Sequence, residues 1–91
     1  MISKKIRVNG IVQGVFFRVS TKDKADELGI KGWVQNYRNR HDSIKIFAEG
    51  EEDAMEKFVE WCHEGPYTAE VTSVHITEAP VQNTESFEIK D

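Results

Sequence analysis

One stretch of the sequence combines residue types and a spacing that could bind an anion. It runs from Gly10 to Arg18, reads Gly-Ile-Val-Gln-Gly-Val-Phe-Phe-Arg, and connects a predicted strand to a predicted helix. A glycine-bounded loop at a helix N-terminus can direct several backbone N–H groups at one anion. Arg18 adds a permanent cation in the first helical turn, where it is unfavourable unless an anion lies beside it. The stretch therefore predicts a phosphate-type site, although its glycine spacing alone is equally compatible with a tight turn.

The sequence has no comparable pattern for a metal or a nucleotide cofactor. The loop lacks the Lys-Ser or Lys-Thr pair of a P-loop, and it is not a GxGxxG motif. Cys62, His41, His63 and His75 do not have the spacing of metal ligands. We therefore expect no metal and no cofactor. Cys62 lies on the apolar stripe of a predicted helix, which indicates a buried and unreactive core thiol.

Hydrophobic periodicity predicts the elements that position this loop. Alternating apolar residues predict five strands, at residues 2–9, 32–37, 44–48, 71–77 and 87–89. Apolar stripes at helical spacing predict two helices, which end at Gly29 and at Gly65-Pro66. The order of these elements predicts an α+β fold of the ferredoxin-like split βαβ type (βαββαβ) with a short fifth edge strand. In that sandwich two helices cover one face of an antiparallel sheet.

Length, composition and charge limit the class of protein. A chain of 91 residues with 38% hydrophobic residues predicts one folded domain, residues 1–91. The net charge of −4 is the wrong sign for a domain that wraps nucleic acid, so no nucleic-acid partner is expected. The longest apolar run is Val15-Phe16-Phe17, so we expect no signal peptide and no membrane span. The single cysteine fits a reducing compartment, and we expect a cytoplasmic monomer.

Two segments together resemble the signature stretches of the acylphosphatases, small enzymes that hydrolyse carboxyl-phosphate mixed anhydrides. They are Gly10–Arg18 and Leu28–Asn36, the second of which reads Leu-Gly-Ile-Lys-Gly-Trp-Val-Gln-Asn. The resemblance covers nearly the whole chain, because Ala48-Glu49-Gly50, Gly65-Pro66 and Phe87-Glu88-Ile89 are also similar to that family. It implies the fold predicted above and a small-molecule acyl phosphate as substrate. We expect inorganic phosphate or sulfate to compete for the loop.

The resemblance also implies roles for single residues. The phosphate cradle would consist of Gln13, Gly14, Val15, Phe16, Phe17 and Arg18. Arg18 would be the phosphate-binding arginine, and Asn36 would position the attacking water. The chain departs from the family after Tyr37, where the family usually has a short turn with an Asp-Gly or Arg-Gly pair. Residues 38–42 form a longer, glycine-free connection, and Ser43 matches the Ser or Thr that follows the family's turn.

The implied reaction is chemically consistent with these residues. The leaving group of an acyl phosphate is a carboxylate whose conjugate acid has a pKa of roughly 4, so no general acid is required. The transition state of phosphoryl transfer is loose, with charge on three equatorial oxygens that positioned donors and one arginine can stabilise. The Asn36 carbonyl oxygen can align a water molecule for direct attack but cannot deprotonate it. Neither a metal nor a covalent intermediate is needed.

A noncatalytic module of the same fold is the alternative, either an RNA reader or a phosphate-sensing domain. RNA readers of this fold expose aromatic residues on the middle strands, and the sequence offers few candidates there. Phe16 and Phe17 are interpreted as core and loop packing rather than as a stacking platform. A regulatory domain would lack Arg18 or Asn36, and both are present.

Two charged segments have no predicted catalytic role. Arg38, Arg40 and His41 are interpreted as a solvated turn, with a positive rim that attracts anionic substrate as the functional alternative. The acidic residues from Glu49 to Glu60 are interpreted mainly as the solvated face of a helix.

Overall fold

The computed structural model describes residues 1–91 and contains the seven predicted elements in the predicted order. The strands are β1 (Ile2–Ile11), β2 (Lys31–Asn36), β3 (Ser43–Gly50), β4 (Glu70–Glu78) and β5 (Phe87–Lys90). The helices are α1 (Phe17–Leu28) and α2 (Glu52–Glu64). Neither helix is long and apolar enough to cross a membrane.

The five strands form one sheet in the order β4-β1-β3-β2-β5. Strands β1 to β4 pair in the antiparallel sense, as predicted. Strand β5 pairs with β2 in the parallel sense, so the complete sheet is mixed. The parallel pairing follows from the connection between β4 and β5, which are the two edge strands. This connection leaves β4 at one edge and reaches the other edge at the end of the sheet where β2 begins, so β5 runs in the same direction as β2. This connection, residues 79–86, therefore crosses the end of the sheet.

Both helices pack on one face of the sheet and bury the core there. Helix α1 buries Phe17, Thr21 and Ala25, three residues of its predicted stripe, and ends at Gly29 in a left-handed conformation with φ 73°. This glycine cap is the one that the sequence predicts. Helix α2 buries Met55, Phe58 and Cys62. Because burial raises the pKa of the Cys62 thiol, this side chain is the unreactive core group that was expected.

Strand β4 departs from the simple alternation predicted for it. The register of β1 and β4 shifts between Asn9 and Gly10, so that Val71 lies opposite Gly10 while Val74 lies opposite Val8. As a result Val71 and Val74 both pack against the core although they are three residues apart. This is the effect of a β-bulge, which inserts one extra residue into a strand. Gly10 has φ 137°, and a Cβ atom there would collide with the backbone of Glu70.

Candidate active site

The loop between β1 and α1 presents a run of backbone N–H groups that have no partner in the protein. Gly14 has φ 74° and Phe16 has φ 62°, whereas Val15 between them does not have a positive φ. Alternating left-handed and ordinary conformations turn successive N–H groups toward one side, which makes an anion-binding concavity. No backbone N–H from Gln13 to Val19 donates a hydrogen bond to a protein acceptor. These donors lie at the positive end of α1.

The loop is held from behind by two elements that are distant in sequence. Thr68, in the turn between α2 and β4, donates a hydrogen bond from Oγ1 to the carbonyl oxygen of Val15 at 2.7 Å. The backbone N–H of Gly10 donates to the carbonyl oxygen of Asp42, in the β2–β3 turn, at 2.8 Å. These hydrogen bonds stabilise the loop and the end of β1 from which it starts.

A cavity of about 240 Å³ borders this loop. It is lined by Val12, Gly14, Phe16, Phe17, Arg18, Val19 and Asn36. The structure thus brings both predicted catalytic residues, Arg18 and Asn36, to one cavity together with part of the predicted cradle. Gln13 and Val15 belong to the loop but not to the cavity lining.

Arg18 is held at the cavity by the last strand of the sheet. Its Nη1 donates a hydrogen bond of 2.9 Å to the main-chain oxygen of Lys90, and it lies 4.0 Å from Oδ1 of Asp91. No other nitrogen of the guanidinium has a protein acceptor, and one-third (33%) of the side chain is exposed. Arg18 can therefore offer two adjacent N–H groups to an anion, the geometry that suits phosphate. A main-chain oxygen has no side-chain signature, so sequence analysis could not predict the contact with Lys90.

Asn36 is the last residue of β2 and lies opposite Ile44 of β3. Its Oδ1 is shielded from solvent and accepts no hydrogen bond from the protein. A shielded carbonyl oxygen without a partner is destabilising, so such groups usually have a ligand or a functional role. Asn36 also lines the cavity, so its unpartnered oxygen indicates a functional role at this site.

The side chain of Gln13 contacts the turn that follows β2. Its amide nitrogen donates to the main-chain oxygens of Arg40 and Ser43, both at 2.8 Å, and more weakly to that of Tyr37 at 3.4 Å. These bonds organise the glycine-free connection between β2 and β3. The side chain of Gln13 therefore stabilises the β2–β3 turn that follows Asn36, which leaves its backbone N–H for the predicted cradle.

Ser43 contributes a second anchor for the same turn. Its Oγ donates a hydrogen bond of 2.6 Å to Oδ1 of Asn9, which lies opposite it in β1. Asn9 in turn donates from Nδ2 to Oγ of Ser73 in β4 at 3.0 Å. No local motif marks Asn9 in the sequence. It links Ser43 to Ser73 only because the cross-strand register places it between them.

Phe16 differs from the expectation of core and loop packing, whereas Phe17 agrees with it. Phe17 is buried, but Phe16 is 75% exposed at the cavity. Val19, in the first turn of α1, also lines the cavity and is 52% exposed. Phe16 is also the N-cap of α1 and makes no side-chain capping bond. A large residue with positive φ is strained, and strain of this kind is concentrated at functional sites.

The charged turn lies beside Asn36 but outside the loop cavity. A second cavity of about 420 Å³ is lined by Gln35, Asn36, Tyr37, Arg38, Asn39, Arg40 and Lys45. Arg40 Nε is 3.7 Å from Oδ1 of Asp42, while Arg38 has no carboxylate partner. The turn is thus solvated and also forms a positive rim next to Asn36. No group of three or more His, Cys, Asp and Glu side chains is placed to share a metal ion.

Comparisons with known proteins agree with this architecture. The family model described as Acylphosphatase matches residues 4–89. An acylphosphatase of Acidovorax sp. (strain JS42) is 38% identical over 91 residues, covering 99% of this chain and 91% of the relative. The crystal structure of acylphosphatase from Bacillus subtilis matches with a TM-score of 0.94 and 35% identity, covering 100% of both chains. An acylphosphatase structure from Coxiella burnetii matches with a TM-score of 0.92 and 38% identity, covering 98% of this chain and 92% of that one.

These proteins define the class as small hydrolases of the ferredoxin-like α+β fold, which confirms the predicted fold. The chain belongs to the acylphosphatase family, and the prediction of an enzyme of this family is confirmed.

Proposed function

We propose that this protein hydrolyses the carboxyl-phosphate bond of acyl phosphates to a carboxylate and inorganic phosphate, by direct in-line attack of water. The observation that carries the proposal is the run of unpaired N–H groups from Gln13 to Val19 beside a cavity that Arg18 and Asn36 also line. Positioned donors and one arginine match the charge that develops on the three equatorial oxygens of the phosphoryl group.

The phosphoryl group binds in the cradle of residues 13–18. Its oxygens accept hydrogen bonds from the backbone N–H groups and from the guanidinium of Arg18. These bonds are charge-assisted, and the positive end of α1 adds to them. The hydrogen bond from Arg18 to Lys90 supports this role, because it leaves the other guanidinium nitrogens free for the ligand.

Asn36 orients the attacking water. The Asn36 amide turns into the cavity, where its unpartnered Oδ1 accepts one hydrogen of the water, so that an oxygen lone pair points at phosphorus. In-line attack then places the acyl group on the side of phosphorus away from Asn36. The exposed side chains that remain at the cavity are Phe16 and Val19, and they are the ones available to contact the acyl group.

The products need no further assistance from the protein. The bond between phosphorus and the bridging oxygen breaks, and that oxygen leaves with its electron pair as part of a stable carboxylate. The water oxygen becomes the fourth oxygen of inorganic phosphate, and the products balance as RCOO− and H2PO4−, which exchanges one proton with solvent. We propose that the reaction uses no metal or cofactor, and that residues 1–91 act as one cytoplasmic, monomeric domain without a nucleic-acid partner.

Hydrolysis of benzoyl phosphate and acetyl phosphate by the purified chain tests the proposal, with and without a chelator. We expect release of inorganic phosphate at the same rate in both conditions, with competitive inhibition by added phosphate or sulfate. A folded protein that releases no phosphate from either compound would contradict the proposal. Activity that is lost on chelation and restored by a divalent cation would contradict the metal-free mechanism.

A further inference from the structure

The sheet face opposite the two helices carries a row of basic residues. Directly paired residues of neighbouring strands share a face, and Arg7 of β1 pairs with Lys45 of β3 on one side and with His75 of β4 on the other. The same row continues through Gln35 of β2 to Lys90 of β5. Like charges directly opposite each other destabilise a sheet. The directly paired cations Arg7 and Lys45 are therefore unfavourable for the protein alone.

The basic residues of this face lack counter-charges. Lys5, Arg7 and Lys45 form no ion pair with any carboxylate of the chain. The Nε of Arg7, in the middle of the row, is shielded from solvent and has no hydrogen-bond acceptor. A shielded cationic donor without an acceptor is strongly destabilising. An anion beside the Arg7 guanidinium would provide the missing counter-charge.

These groups surround a cavity of about 410 Å³, a volume within the usual range for small-molecule sites. The lining consists of Lys5, Ile6, Arg7, Trp33, Tyr37, Lys45, His75 and Thr77 and contains no acidic residue. The Nζ of Lys45 lies 5.2 Å from the centre of the Tyr37 ring and 5.9 Å from that of Trp33. These cation–π contacts hold Lys45 at the cavity. The cavity shares no residue with the one that contains Arg18 and Asn36.

We propose that this cavity binds a triphosphate chain, at a site separate from the phosphate cradle. The row from His75 through Arg7 to Lys45 crosses two strand spacings, about 10 Å, and so offers donors to several linked phosphates. A single phosphate would engage only part of this row. The net charge of −4 works against a long polyanion, which would extend past the basic row onto acidic surface. A short oligophosphate, free or carried by a nucleotide, contacts only the basic residues.

The test separates this site from the cradle by using an Arg18→Ala background, in which anion binding at the loop is weakened. Isothermal titration with inorganic triphosphate and with adenosine triphosphate, in the absence of divalent cations, measures the affinity. Backbone amide chemical shifts locate the ligand. We expect a Kd below about 1 mM and shifts at Arg7, Lys45 and His75. Equal affinities for the two ligands would identify the phosphate chain as the whole ligand, and tighter binding of adenosine triphosphate would identify a nucleotide.

Variants decide whether the cavity is responsible for the binding. Arg7→Gln and Lys45→Gln should each weaken binding about tenfold or more, since each removes a charge-assisted hydrogen bond. Lys57→Gln, an exposed lysine on α2, removes the same charge elsewhere and should change the affinity less than twofold. If Arg7→Gln does not fold, Lys45→Gln alone provides the comparison with Lys57→Gln. Absence of binding, an equal loss in Lys57→Gln, or shifts confined to residues 13–19 would overturn the proposal.

Discussion

The guanidinium of Arg18 donates a 2.9 Å hydrogen bond to the main-chain oxygen of Lys90. This bond joins the first turn of α1 to β5 at the edge of the sheet. The orientation of the Arg18 side chain, which we propose as a ligand of the phosphate, therefore depends on the last strand. Lys22, one turn further along α1, makes the same kind of bond to the main-chain oxygen of Phe87 at 2.9 Å, but it does not line the cavity. Arg18 therefore both anchors β5 and faces the proposed anion site, whereas Lys22 only anchors β5. Variants of the two residues distinguish these roles.

Arg18→Ala should weaken phosphate binding and also lower kcat by about 10³-fold or more. The reason is that a group bound to the phosphoryl oxygens acts in both the ground state and the transition state. Inhibition constants for inorganic phosphate and steady-state kinetics with benzoyl phosphate measure the two effects. Lys22→Ala is the matched control, since it removes a contact with β5 but no ligand of the anion. A loss of the same size in Lys22→Ala would show that anchoring of β5 is what matters.

Asn36→Ala should lower kcat by about 10²-fold or more while the affinity for inorganic phosphate stays nearly unchanged. A residue that orients only the attacking water contributes to the transition state and not to binding of the phosphate. Asn39→Ala, an exposed asparagine in the adjacent turn, should have little effect on either quantity. Near-normal turnover in a folded Asn36→Ala protein would rule out the water-positioning role.

The parts of the fold that depend on local patterns could be predicted from the sequence. The spacing of Phe17, Thr21 and Ala25 defines one buried face of a helix, and Gly29 ends that helix because glycine adopts a left-handed conformation at little cost. The position of Arg18 next to the loop glycines likewise follows from the sequence alone. Each of these features could be predicted because it depends only on residues that are close together in the sequence.

The parts that depend on long-range contacts could not be predicted. Glu49 was expected to belong to a solvated acidic face, but it lies in β3 and is only 1% exposed, because the connection of residues 79–86 crosses over it. The hydrogen bonds of Gln13 with the β2–β3 turn span 24 to 30 residues. The direction of β5 follows from the path of the same crossing connection. None of these long-range contacts produces a periodic pattern or a local motif in the sequence.

Glu49 should make the stability of the protein sensitive to acid. Burial alone would raise the pKa of its carboxyl group, but hydrogen bonds from Thr84, Gln82 and Ser3 outweigh burial and lower the pKa from 4.5 to about 2. A group with a lowered pKa in the folded state stabilises the protein above its unfolded pKa. This contribution is therefore complete above pH 4.5 and is lost as the pH falls toward 2.

Denaturant unfolding at a series of pH values checks this expectation. The free energy of unfolding of the wild type should fall by a few kcal/mol between pH 5 and pH 2, and Glu49→Gln should remove much of that dependence. Glu51→Gln, an exposed neighbour, should leave the dependence unchanged. A wild-type curve parallel to that of Glu49→Gln would contradict the contribution assigned to this carboxylate.

Phe16→Asn should increase the free energy of unfolding by about 1 kcal/mol. Phe16 has a positive φ of 62°, which is unfavourable for a large side chain but is tolerated by asparagine, and little burial is lost because the ring is 75% exposed. Tyr67→Asn is the matched control, because Tyr67 is fully exposed and has no positive φ. Destabilisation by Phe16→Asn, or an equal gain in Tyr67→Asn, would show that strain at Phe16 is not the cause.

In the proposed mechanism, water attacks phosphorus directly while the phosphoryl group is held in the loop of Gly14 and Arg18. Hydrolysis of benzoyl phosphate in ¹⁸O-labelled water, followed by mass spectrometry of both products under single-turnover conditions, measures which atom is attacked. We expect one ¹⁸O atom in the inorganic phosphate and none in the benzoate, because the bond between phosphorus and the bridging oxygen is the one that breaks. Label in the benzoate would show attack at the acyl carbon and would contradict the proposed roles of the cradle and of Asn36.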